Sequence, residues 1–260
     1  MAKLKYTFDD YISNPSGKGA ANTIVPPIDQ FEKELMGLEG RNDKSKFKVY
    51  KEAKSGGKNS FYVHIQIPSS TKDFFNDVVI EFDADNNDSG SIKNIKKYNV
   101  KFFSNDNNFV YTYAYTFKSH GLLIGGLEKK LPLRCLLQKP TTRNPDNAMG
   151  LNKSICYAYI VMNREQLFEK ETLNRVAASG GFVKLSSEIH DFSTKQRERS
   201  NIEREQKEQG HKQKSQSSTK IIKSKGLLGD NKPLESLKPK ITKIIGSTKK
   251  SNTTKKVKKR

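Results

Sequence analysis

The sequence contains no tryptophan, only two cysteines and four histidines among 260 residues. It also has no apolar run near the ~20 residues that a membrane-spanning helix needs. Cys135 and Cys156 are too few for a disulfide scaffold, so a reducing, intracellular setting is expected. His64, His120, His190 and His211 are scattered, and neither His-x-x-x-His nor Cys-x-x-Cys occurs, so the familiar zinc spacings are excluded and no cofactor or metal is implied. Met1-Ala2-Lys3-Leu4-Lys5 leads into polar sequence rather than the apolar core of a secretory signal, which predicts synthesis in the cytoplasm, and without a spanning run no membrane insertion is expected.

Acidic residues are the other shortage. Against 48 Lys and Arg stand 28 Asp and Glu, a formal charge of +20. The 33% apolar share is below the ~45–50% usual once glycine is included, but the apolar residues concentrate before Phe192. Residues 212–260 hold 16 basic and 2 acidic residues, +14 of the total, leaving +6 for residues 1–211. A charge excess gathered in one segment implies a polyanionic partner: nucleic acid, an acidic protein surface or anionic lipid. The predicted organisation is an N-terminal arm over 1–27, a globular domain over 28–193 and a charged, Lys-rich tail over 194–260.

The globular part reads as an α+β fold, with a mixed or antiparallel β-sheet and packed helices. Asn14-Pro15 and Pro26-Pro27 resist helix and give the arm its extended character. Asp29 caps a predicted helix with Phe31, Leu35 and Leu38 at helical spacing and Gly40 as its stop. Phe47 and Val49, then Phe61, Val63, Ile65 and Ile67, alternate with polar residues around Ser55-Gly56-Gly57-Lys58, a β-hairpin pattern. Val78–Phe82 and Val100–Phe103 read as further strands. Residues 109–117 keep an aromatic period of two, yet Phe109, Tyr113 and Phe117 share a helix face below the caps Ser104 and Asp106, so helix and strand both remain open. Ile155–Met162 reads as a buried strand. Asn163 and Gln166 form a capping-box pattern for a helix carrying Leu167, Phe168, Leu173 and Val176 and ending at Gly180-Gly181. Residues 194–216 alternate charges and read as a solvated helix or disorder.

Several local patterns touch on chemistry. Asp83-Ala84-Asp85-Asn86-Asn87 begins like a calcium loop, but Asp88 stands where the loop needs Gly and Asn94 where it needs Glu, so a polar turn is expected. Ser16-Gly17-Lys18-Gly19 and Gly56-Gly57-Lys58 lack the spacing of a phosphate-binding loop. Glu52-Ala53-Lys54 is similar to half of a metal-dependent nuclease site, in which a carboxylate holds the metal and a lysine steadies the nucleophile; it requires further carboxylates in space. Ser119-His120 and His190-Asp191 are chain neighbours, whereas a catalytic triad is a spatial arrangement. Phe102, Phe103, Phe109, Tyr111, Tyr113, Tyr115 and Phe117, with Lys96, Lys97 and Lys101 nearby, are candidates for stacking single-stranded nucleic acid, against the plainer expectation of core packing.

The strongest signal is the tail. Its candidate polyanion-binding residues are Lys212, Lys214, Lys220, Lys223, Lys225, Lys249, Lys250, Lys255, Lys256, Lys258, Lys259 and Arg260, set among small polar residues. Phosphate attraction by such a segment is sequence-independent and weakens with salt. The islands Ile221-Ile222, Leu227-Leu228, Leu234 with Leu237, and Ile241 with Ile244-Ile245 add apolar anchors suited to a protein neighbour.

Tyr98-Asn99-Val100-Lys101-Phe102-Phe103-Ser104-Asn105-Asp106 through Phe117, then Arg143-Asn144-Pro145 and Lys153-Ser154-Ile155-Cys156-Tyr157-Ala158-Tyr159, resembles proteins of tailed bacteriophages. The resemblance implies a virion component at the capsid or neck, one piece of a multi-subunit assembly, touching neighbouring virion proteins or packaged DNA, and present in the host cytoplasm before assembly. With no catalytic motif in the chain, the expected function is non-enzymatic and structural. The alternatives are an intracellular, sequence-nonspecific nucleic-acid-binding protein and, behind it, a metal-dependent nuclease.

Overall fold

The alternating residues between Lys46 and Ser104 form a sheet in the computed structural model, which describes residues 6–13, 28–54, 59–83, 93–144 and 149–224, with side chains of the last helix described as far as Gln209. Strands β1 (Lys46–Ala53), β2 (Asn59–Pro68), β3 (Phe75–Asp83) and β4 (Asn99–Ser104) pair antiparallel in turn. The two-residue β5 (Ala177–Ala178) joins β1 in parallel, so the sheet is mixed, in the order β4-β3-β2-β1-β5.

Strand alternation separates two chemically distinct faces. Val49, Val63, Ile80 and Phe102 lie in register across four strands on one face. The other face carries the row Tyr62, Glu81 and Lys101, with His64 and Asp77 beside it. Both faces are covered by helices, which is why β2 and β3 are buried along nearly their whole length.

The apolar face meets α1 (Phe8–Ser13), α2 (Ile28–Glu39) and, further along the chain, α5 (Lys153–Arg164). Within the expected 1–27 arm, residues 6–13 fold onto the core. Thr7 and Asp10 cap α1 reciprocally, with Asp10 N donating to Thr7 Oγ1 at 3.1 Å and Thr7 N to Asp10 Oδ2 at 2.9 Å. Val100 N donates to Tyr6 O at 3.0 Å, tying the segment to β4. Phe8, wholly buried, then sits 5.5–5.9 Å from the rings of Phe82, Phe102, Tyr159 and Phe168. The Asn-Pro and Pro-Pro signals of the arm, at 14–15 and 26–27, lie outside the described residues.

Of the two readings open for 109–117, helix is found. A π-helical turn over Phe109–Tyr113 runs into α3 (Ala114–Ser119). Asp106 Oδ2 accepts from Phe109 N at 3.2 Å, so the upstream cap prevails over the aromatic alternation. A short α4 (Leu133–Leu137) follows.

Ile155–Met162 is helical rather than a strand, being the body of α5. Its near-continuous apolar run reflects burial on several sides, which hides the helical period. The deciding local signal is Asn152, whose side chain accepts from Ile155 N at 3.2 Å. The helix expected from Asn163 also differs. Asn163 lies in the last turn of α5, Gln166 takes a positive φ of 55° and breaks the chain direction, and α6 begins only at Lys170 and ends at Val176. Gly180-Gly181 does not stop that helix but starts α7 (Gly181–Glu188), with β5 between the two. α7 and the beginning of α8 (Phe192–Ser224) cover the polar face of the sheet: Phe182 packs 5.4 Å from Tyr62, and Lys195 reaches Asp77.

Candidate functional site

The chain divides into two units, residues 1–211 and 212–260. Lys212, Lys214, Lys220 and Lys223 fall within the backbone span of α8, beyond its last described side chain. Lys225, Lys249, Lys250, Lys255, Lys256, Lys258, Lys259 and Arg260 lie outside the described residues, as do the apolar islands from Leu227 onward.

What the structure does describe is how the first turns of α8 are held. Arg199 Nε donates to Thr71 Oγ1 at 3.1 Å and to Glu203 Oε1 at 2.9 Å, while the Thr71 hydroxyl donates to the same Glu203 oxygen at 2.9 Å. Gln206 Nε2 donates to Lys72 O at 3.0 Å. Lys195 and Arg199 both lie over the buried Phe74 ring, at 5.5 and 6.0 Å. The charge alternation of 194–209 therefore hides one binding face, carried by residues 195, 199, 203 and 206 at helical spacing.

Beneath Lys195 is a buried polar network. His64 Nε2 lies 2.9 Å from Asp77 Oδ1, Asn105 Nδ2 donates to Asp77 Oδ2 at 2.7 Å, and Lys195 Nζ is 3.8 Å from Oδ2. Burial alone raises the Asp77 carboxyl, but the His64 hydrogen bond, the nearby charges and the Asn105 amide outweigh it and hold the group below the usual carboxylate range. Its partners are distributed over β2, the β4–α3 connection and α8, so no local motif announces the network. The one clue along the chain is Asp77 itself, a carboxylate among strand residues otherwise destined for burial.

The Glu52–Lys54 pair does meet further carboxylates. Tyr62 donates its hydroxyl to Glu52 Oε2 at 2.9 Å and lies 3.5 Å from Glu81 Oε1. Each added carboxylate is occupied by a cation: Lys54 Nζ is 2.9 Å from Asp83 Oδ1 and 3.7 Å from Glu81 Oε1, and Lys101 Nζ is 3.2 Å from Glu81 Oε2. The arrangement is a chain of ion pairs across the sheet; among the described residues no group of three or more His, Cys, Asp or Glu is placed to hold a metal. Burial, then Glu81 and Glu52, raise the Tyr62 phenol, which stays protonated as the donor of this cluster. Asp83 opens the calcium-like string, but its carboxylate takes Lys54 and the Ser60 hydroxyl; residues 84–92 and both glycine-lysine turns lie outside the described residues.

The two His-containing neighbour pairs stay local. The Ser119 hydroxyl donates to Thr116 O at 2.9 Å, and His120 Nδ1 lies 2.8 Å from that same carbonyl, an arrangement that finishes α3. Asp191 is 3.5 Å from Lys130.

The aromatic group divides. Phe102, Phe103, Phe109 and Phe117 are wholly buried and form core. Two of the cations expected beside them are engaged elsewhere: Lys96 lies 5.0 Å over Tyr159 and 4.5 Å over Phe168, and Lys101 pairs with Glu81. Tyr111, 51% exposed, is the member that faces solvent most fully. It borders an open groove of about 400 Å³ together with Arg134, Gln138, Lys139, Thr142 and Arg143.

No protein-family model, curated protein or solved structure matches this chain. Among the described residues no helix is long and apolar enough to cross a membrane.

Proposed function

We propose that this chain is a non-enzymatic assembly protein of a tailed-bacteriophage virion, associated with the capsid or neck. In this reading the α+β body docks on neighbouring virion proteins, and the Lys-rich segment after His211 lies against packaged DNA or an acidic neighbour. The observation that carries the binding role is the charge partition, +14 over residues 212–260 against +6 over the preceding 211 residues, while the virion assignment rests on the bacteriophage-like strings at 98–117, 143–145 and 153–159. A segment of that composition attracts phosphate without reading sequence, and its apolar islands add protein contacts.

Glutamine at Lys249, Lys250, Lys255, Lys256, Lys258 and Lys259 in the full chain tests the electrostatic part. Affinity for duplex DNA should drop, and the slope of log affinity against log salt should flatten by about 0.9 for each phosphate no longer neutralised. Unchanged affinity and slope would remove DNA as the partner of this segment. Mass spectrometry of purified particles tests the assembly part, since the chain must be present in them.

The same charge partition also fits an intracellular, sequence-nonspecific nucleic-acid-binding protein. That reading retains the salt-dependent binding and predicts absence from particles.

A further inference from the structure

The Tyr111 groove lies between two segments that are separated along the chain but fastened together by one buried side chain. Its first wall is the helical turn Phe109–Tyr113; its second is α4 and the connection that follows it. Pro132 opens α4, Leu136 anchors it in the core, and Pro140 restrains Lys139 towards extended backbone. Asn144, itself buried, then donates from Nδ2 to Thr116 Oγ1 at 3.1 Å and to Thr112 O at 3.3 Å, drawing the connection back against the first wall.

The groove so formed has one electrostatic sign. Arg134, Lys139 and Arg143 line it, and among the described residues its lining contains no Asp or Glu. Among the described residues these three cations make no salt bridge; Arg134 is steadied instead by Gln138, with Nε donating to Oε1 at 2.8 Å. Elsewhere on the body, Lys48, Lys54, Lys101, Lys118, Lys130 and Arg164 each have a carboxylate within 4 Å. Tyr111 contributes a half-exposed ring held from one side by Phe192, whose ring lies 5.6 Å away at 82°. At about 400 Å³ the groove falls in the ~300–1,000 Å³ range of small-ligand clefts.

We propose that this groove is a binding site for single-stranded DNA, in which a base stacks on Tyr111 and the adjoining phosphates meet Arg134, Lys139 and Arg143. A restrained aromatic face beside cations that have no carboxylate partner among the described residues suits an unstacked base with its backbone. A duplex offers the phosphates but keeps its bases stacked within the helix, and an acidic peptide offers charge without the planar face. The site lies on the folded body and does not require the basic segment; it rests on the preceding functional reading only for the choice of DNA over RNA.

The test uses the full chain and fluorescence anisotropy with labelled oligothymidylate, a duplex of equal length, oligouridylate and a polyglutamate peptide. Raised ionic strength screens the sequence-independent attraction of the basic segment. Tyr111→Ala should weaken oligothymidylate binding by about 5- to 150-fold, the range of base–aromatic stacking, while duplex binding stays at the wild-type level. Tyr111→Phe should retain the affinity. Arg143→Gln, at an exposed residue, carries the test without disturbing the Phe192 contact and should also weaken oligothymidylate binding. Wild-type oligothymidylate affinity in both Tyr111→Ala and Arg143→Gln overturns the site, as does an equal loss on duplex. Tighter binding of polyglutamate or of oligouridylate overturns the assignment to DNA. The lysine-to-glutamine variants of the basic segment act on duplex affinity, so failure of that segment's role and failure of this groove give different results.

Discussion

His64 Nε2 and Asp77 Oδ1 face each other at 2.9 Å, with side-chain exposures of 5% and 2%. They occupy the polar face of two adjacent strands, and Lys195 closes the pair from α8. An ionised carboxylate this deeply buried is tolerable only because its oxygens are saturated: His64 and Gln66 on Oδ1, Asn105 and Lys195 on Oδ2. Asn105 Oδ1 in turn accepts from Asp77 N at 2.7 Å, so the network also fixes the start of β3. It joins the sheet to the root of the helix that precedes the basic segment.

Asp77→Ala should lower stability by about 3–5 kcal/mol at neutral pH, as expected when one member of a buried charged network is removed and Lys195 is left without its buried partner. The carboxyl is held below its ordinary range in the folded protein, so its contribution is complete above the unfolded value of ~3.9 and disappears as pH falls through the folded value. Urea denaturation from neutral to acid pH should therefore show the wild type and the variant converging in acid.

Arg199→Ala should loosen the root of α8 without unfolding the sheet. It removes the bonds to Thr71 and Glu203 and the packing on Phe74. Hydrogen exchange should accelerate across residues 196–209 while β2 and β3 keep their protection, because both are paired on each side within the sheet, the apolar core closes one face, and Lys195 still holds the beginning of α8 on Asp77. Uniform acceleration across the sheet would contradict this.

Phe8→Ala should cost about 3–5 kcal/mol, the usual loss for a fully buried phenylalanine. An arm lying outside the core would show no such loss. The midpoint of chemical denaturation, with its slope unchanged, is the measurement.

Gly126→Ala should destabilise by about 1–3 kcal/mol, as overpacking does. Gly126 has φ +82°, and an added Cβ would stand 2.8 Å from Cε1 of Phe182, the ring that packs on Tyr62. Thermal unfolding should report the loss, and Phe182→Ala in the same chain should relieve the steric part.

The two thiols should differ in alkylation. Burial pushes Cys156 up to about 12 and leaves it enclosed in α5, so it should stay unmodified by iodoacetamide until the protein unfolds. Cys135 is only partly buried and should react first; its thiol is also raised by burial, which keeps the reaction slow at neutral pH. Peptide mass mapping with and without urea distinguishes the two.

The hairpin over Phe47–Ile67, the strands at 78–82 and 100–103 and the helix from Asp29 are legible locally, because alternation and helical spacing report which side of an element is buried. Over 155–162 burial is too complete for any period to survive, and a helix there carries the pattern of a strand. Gly180-Gly181 has the signature of a stop and is a start, since glycine relieves positive φ at either end of a helix. At 6–13, Thr7 and Asp10 hold a capping pattern that the proline signals following it overshadow.

The stacking candidates show the same limit more sharply. Seven aromatics stand near three lysines along the chain; folding buries four of the rings, sends Lys96 and Lys101 to other partners and sets Tyr111 next to Arg134, Lys139 and Arg143. Likewise the Glu52–Lys54 pair gains Glu81 and Asp83, but in ion pairs with lysines.

The α+β character and the division of charge are written along the chain, because strand alternation, caps and composition act through near neighbours or through simple sums. Packing in three dimensions selects which aromatic meets solvent, which carboxylates are neutralised and how Asp77 is shared by His64, Asn105 and Lys195. Those outcomes depend on which distant segments are brought within a few ångströms of one another, and burial then makes each such encounter either stabilising or prohibitive.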